Sequence, residues 1–90
     1  MSVAAFIRVQ GLVQGVGFRF FVHRVATRLQ LSGYVRNAYD GSVEIEVEGD
    51  RSIIEELIKD VKVGPRAAHV TGVSVEWKNP ENQFHYFDIR

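Results

Sequence analysis

The apolar residues of this chain change period at Phe18 and again at Ile53, both times from a strand-like run to a helical one. Residues 5–13 are rich in Phe, Ile and Val and read as a strand. After Gln14-Gly15-Val16-Gly17, the apolar residues Phe18, Phe21, Val22, Val25, Ala26 and Leu29 recur at helical spacing, and Leu31-Ser32-Gly33 ends the helix. Residues 34–38 read as a second strand, and Asp40-Gly41 is a hairpin signal. In a third strand Val43, Ile45 and Val47 alternate with Glu44, Glu46 and Glu48, which form its wet face. Ile53, Ile54, Leu57, Ile58 and Val61 make the stripe of a second helix, capped either by Ser52 with Glu55 or by Asp50, and Gly64-Pro65 stops it. Val73, Val75 and Trp77 alternate with Ser74, Glu76 and Lys78 in a fourth strand, and residues 84–89 form a short fifth.

The order β-α-β-β-α-β is the α+β, ferredoxin-like split βαβ sandwich. Strands one and two are parallel and joined by a right-handed helical crossover. The third strand returns antiparallel between them, and the fourth joins the outer side of the first. The expected sheet order is 4-1-3-2, plus the short C-terminal strand, with both helices on one face. Ninety residues bury one core, so 1–90 is expected to be a single, stand-alone domain.

Composition removes several classes of function. At 46% hydrophobic and 24% charged residues, the chain is no disordered tail. With no cysteine, a disulfide framework, a thiolate metal site and a cysteine nucleophile are all excluded. No run approaches the length of a membrane span, and residues 1–8 lack the basic region of a signal peptide. The expectation is a cytoplasmic protein that binds no membrane.

The net charge is zero, but it is unevenly distributed. Residues 1–39 hold Arg8, Arg19, Arg24, Arg28 and Arg36 and no acid; residues 40–90 hold six cations and all eleven acids. One reading is mutual neutralisation across the fold. The other is an anion site in the first half.

The topology offers a place for such a site. The loop 14–17 follows strand one, and Asn37 lies near the end of parallel strand two. One strand stands between them, so the two points are roughly 10 Å apart. Three glycines fall within 11–17, and the loop opens onto a helix N-terminus, whose free N–H groups favour negative charge. That first turn carries Arg19 and no acid, an unfavourable cation unless an anion compensates it. No Gly-Lys-Ser/Thr follows, so the loop is not a nucleotide-binding P-loop.

Val9-Gln10-Gly11-Leu12-Val13-Gln14-Gly15-Val16-Gly17-Phe18-Arg19 resembles the signature loop of the acylphosphatases. Gly33-Tyr34-Val35-Arg36-Asn37, with Gly41-Ser42-Val43 and Gly49, resembles the second signature of that family, and the ending Phe87-Asp88-Ile89-Arg90 is also similar. The resemblance implies metal-independent hydrolysis of the carboxyl–phosphate bond of an acyl phosphate to a carboxylate and inorganic phosphate, with no cofactor. It implies that Arg19 binds the phosphoryl group and Asn37 orients the attacking water. Gln14, Gly15, Val16, Gly17 and Phe18 would complete the phosphate-binding loop. A monomer is expected.

Other residues read as ordinary. His23, His69 and His85 lack metal-ligand spacing: His23 reads as a surface residue, His69 as a loop residue and His85 as part of an edge strand. Trp77 and the phenylalanines read as core. Arg8, Arg24, Arg28 and Arg36 read as solvated, with Arg36 adding to the field beside Asn37. A nucleic-acid-binding module would need basic and aromatic residues on the third strand, where this chain has three glutamates. The alternatives are a non-catalytic phosphate- or anion-binding regulatory domain on the same fold, and a module of a larger carbamoyl-transfer protein.

Overall fold

A computed structural model describes residues 2–90. The elements are β1 (Ser2–Leu12), α1 (Phe18–Arg28), β2 (Ser32–Asn37), β3 (Val43–Asp50), α2 (Arg51–Val63), β4 (His69–Lys78) and β5 (Phe87–Ile89). The sheet order is β4-β1-β3-β2-β5. The first four strands stand as the split βαβ reading requires. β5 extends the sheet beyond β2 and runs parallel to it, with Tyr34 opposite Asp88.

One sheet face meets both helices. Phe18, Val22, Val25 and Ala26 of α1 and Ile54, Leu57, Ile58 and Val61 of α2 are buried against Ala5, Ile7, Val9, Val35, Val43, Ile45, Val47 and Phe87. Period 3.6 on the helices and period 2 on the strands thus converge on one core. Asp50 caps α2 by accepting from the Ser52 amide, and Gly64 ends it at φ 74°. No helix among the described residues is long and apolar enough to cross a membrane.

Several boundaries differ from the sequence reading. β1 begins at Ser2 and β2 at Ser32, while α1 ends at Arg28, where Gln30 turns the chain with φ 59°. β4 starts at His69 rather than Val73, so His69 is a strand residue, pairing with Leu12. β5 is shorter than expected, and His85 precedes it. Phe20 is not core but exposed on α1, and Trp77 is half-buried with the Arg51 guanidinium 4.2 Å from its ring centre.

The largest correction concerns the helix-free face of the sheet. Glu44 and Glu48 are buried, and Glu46 is half-buried. Glu44 stands opposite Arg8 on β1 and Arg36 on β2, and pairs with both, at 2.8 and 2.6 Å. Arg8 is consequently only one-third exposed rather than solvated. Glu46 receives Lys78 at 2.7 Å, which raises the pKa of that lysine. Glu48 accepts from the amides of Glu81 and Asn82, so the segment before β5 folds over that end of the face. A carboxylate on an open strand can be buried when cross-strand cations and amides satisfy its oxygens.

Candidate active site

β1 carries a bulge at its end. The pairing with β4 shifts between Gln10 and Gly11, and Gly11 has φ 125°. A Cβ there would stand 2.1 Å from the His69 carbonyl oxygen, so the position admits only glycine. The bulge re-aims the chain into the loop 13–17. Gly17, at φ 79°, then opens α1 as its N-cap.

No side chain caps that helix, and no acid occupies its first turn. The first helical hydrogen bond runs from Phe21 N to Gly17 O, which leaves the preceding amides without an intrahelical acceptor. Uncapped amides and the helix dipole make this end of α1 suited to an anion.

Arg19 and Asn37, which the sequence singled out, line one cleft of about 500 Å³. The other lining residues are Tyr34, Arg36 and Arg90. Arg19 donates from Nη1 to the main-chain oxygen of Arg90 at 3.3 Å. The Arg90 guanidinium lies 4.3 Å from the Tyr34 ring centre, and its amide donates to Val35 O, so the end of the chain is fastened to β2. Asn37 is half-exposed, and its side-chain amide has no hydrogen-bond partner among the described residues.

Much of the charge asymmetry is neutralised across the fold. Arg8 pairs with Asp40 and Glu44, Arg36 with Glu44, and Arg28 with Asp60. Among the described residues, Arg19 and Arg24 have no Asp or Glu side chain within ion-pair distance, and of these Arg19 faces the cleft, where it meets the main-chain oxygen of Arg90. Three of the five first-half arginines thus neutralise second-half acids, and of the other two Arg19 lines the cleft.

The Gln14 side chain reaches across to the turn between β2 and β3. Its Nε2 donates to the carbonyl oxygens of Ala38, at 2.8 Å, and Ser42, at 2.9 Å. That β2–β3 turn is itself fixed. Asp40 accepts from the amide and hydroxyl of Ser42, which hold its carboxyl below the ordinary value, and Arg8 adds its charge. The sequence reading missed Tyr34 and Arg90 as cleft residues. Tyr34 shares its strand face with Arg36, which was a usable signal. Arg90 gave none, because β5 could not be placed beside β2 from sequence. Among the described residues, no three His, Asp or Glu side chains stand close enough together to hold a metal ion.

Residues 5–89 match the sequence profile of the acylphosphatases. The chain belongs to the acylphosphatase family. It is 55% identical over 75 residues to the acylphosphatase of Thermotoga petrophila, covering 83% of each chain. It superposes on the crystal structure of an acylphosphatase from Bacillus subtilis with a TM-score of 0.94 at 39% identity, covering 98% of both chains. It also superposes on full-length HypF with a TM-score of 0.92 at 33% identity, spanning 12% of that longer chain. The fold of the acylphosphatases is therefore that of this chain, and the family makes it a hydrolase.

Proposed function

We propose that the protein hydrolyses the carboxyl–phosphate bond of acyl phosphates, without a metal ion, as a single domain. The observation that carries this reading is the convergence of Arg19 and Asn37 on one cleft, the arginine beside an uncapped helix N-terminus and the asparagine uncommitted. In this reading the Arg19 fork binds two phosphoryl oxygens, and the amides of Gly15, Val16, Gly17 and Phe18 surround the rest. The Asn37 side-chain oxygen accepts a hydrogen bond from water and holds it in line with the phosphorus.

The leaving group explains why so few groups suffice. The departing carboxylate is a weak base and needs no proton from the protein. Phosphoryl transfer asks chiefly for position and charge stabilisation. The water's proton passes to a phosphoryl oxygen as the new P–O bond forms and the acyl C–O–P bridge breaks at phosphorus.

The test is phosphate release from acetyl phosphate, measured beside a phosphate monoester. Release from the first and none from the second is expected. No release from acetyl phosphate by the folded protein would overturn the reading.

A further inference from the structure

We infer that Gln14 is a positioning residue: its side chain fixes the phosphate loop against the Asn37 end of β2 and does not itself bind the phosphoryl group. This rests on the function proposed above and concerns the same site.

The amide of Gln14 has two hydrogens, and both are used. One goes to Ala38 O and the other to Ser42 O. Two carbonyl acceptors demand a donor between them, so the amide orientation is dictated by its partners. Neither hydrogen remains for a phosphate oxygen. The contact also joins two parts of the chain that no strand pairing joins. Gln14 opens the loop that leads to Arg19, whereas Ala38 directly follows Asn37. The turn that receives Gln14 is held by the Ala38 N–Ser42 O bond, by Asp40 and by Arg8. Gln14 therefore anchors a glycine-containing loop, with φ of 75° at Gly15 and 79° at Gly17, onto a rigid turn. The quantity it sets is the separation between bound phosphoryl group and positioned water. Phosphate affinity depends on the loop and Arg19 alone; the chemical step depends on both sides.

Gln14→Glu keeps the shape and removes both donors, and Gln14→Met removes them without adding charge. For each, kcat on acetyl phosphate should fall about 10²-fold, with the inhibition constant of inorganic phosphate changing less than about threefold. As pH falls, the carboxyl introduced by Gln14→Glu becomes protonated and regains one donor. Relative to the parent, Gln14→Glu should then recover activity while Gln14→Met does not. In the parent, titration with inorganic phosphate should move the backbone amide NMR signals of residues 15–18 and leave the Gln14 side-chain amide signals in place. The inference is overturned by kcat near the parent value, by phosphate affinity lost in step with kcat, or by identical pH profiles for the two variants. Side-chain signals that shift with the loop amides would overturn it equally, and that measurement needs no variant to fold. A parent inactive on acetyl phosphate would refute the proposed function instead, while the titration would still decide where the Gln14 side chain is engaged.

Discussion

Arg8 on β1 lies directly across from Glu44 on β3, and its Nη2 stands 2.8 Å from that carboxylate. Arg36 reaches the same carboxylate from the other side. Two cations of the acid-free first half are thereby committed to one buried acid of the second. The cleft arginine with no Asp or Glu partner is Arg19, which donates to the main-chain oxygen of Arg90.

Replacing that arginine tests the binding half of the site. In Arg19→Gln both kcat and inorganic phosphate affinity should collapse, because a charge-assisted fork is lost. The circular dichroism spectrum should be retained, since the guanidinium lies outside the apolar core. Phosphate affinity equal to the parent's would remove Arg19 from the site.

Asn37→Ala tests the other half. The expected loss is about 10²-fold in kcat, on the scale of removing one aligned amide at a reacting centre. Phosphate should still bind, as Arg19 and the loop are intact. Steady-state kinetics with product inhibition separate the two effects.

Hydrolysis should survive prolonged treatment with a chelator. Among the described residues, the His, Asp and Glu side chains form no group of three that could hold a metal. Activity abolished by the chelator and restored by one divalent ion would contradict the mechanism.

Asp40 links the site turn to pH. Hydrogen bonds from Ser42 hold its carboxyl below the ordinary 3.8. The carboxylate's stabilising contribution is therefore complete above the unfolded pKa and is lost as pH falls through the lower, folded one. Urea midpoints of the parent and Asp40→Asn should differ by a constant margin above about pH 5 and converge in stronger acid. A margin that widens on acidification would show the sign to be wrong.

Gly11→Ala should destabilise the fold strongly. Its Cβ would meet the His69 carbonyl oxygen at 2.1 Å, in a region of φ that alanine avoids. A loss of about 2 kcal/mol or more is expected from chemical denaturation. An unchanged midpoint would mean that β1 and β4 separate there at no cost.

Periodicity placed the core because burial on a two-layer fold leaves its mark at every second or every third to fourth residue, and the hairpin and the right-handed crossover then ordered the first four strands. It could not report what covers the helix-free face. Glu44, Glu46 and Glu48 alternate as any solvated residues would, and their partners Arg8, Arg36 and Lys78 lie on other strands at distances in sequence that no local pattern encodes. The candidate site was legible at Arg19 and Asn37, since a glycine loop, an acid-free helix start and a parallel strand end are each local features. The turn of the Gln14 side chain was not, because its acceptors are main-chain oxygens, which every residue possesses. Arg90 reaches the cleft only through the pairing of β5 with β2, and three residues carry too little pattern to announce it.

β1 is the second strand of the sheet, flanked on one side by β3 and on the other by β4, where Ala4 meets Lys78. That has a consequence in time. On a growing chain, the first strand made waits for almost the last before both its edges are covered. Closing so long a loop is entropically costly, and topologies of this kind fold slowly for their size. During the wait the Val- and Ile-bearing edge of β1 is open to other chains, so the yield of folded protein should depend on how crowded its synthesis is.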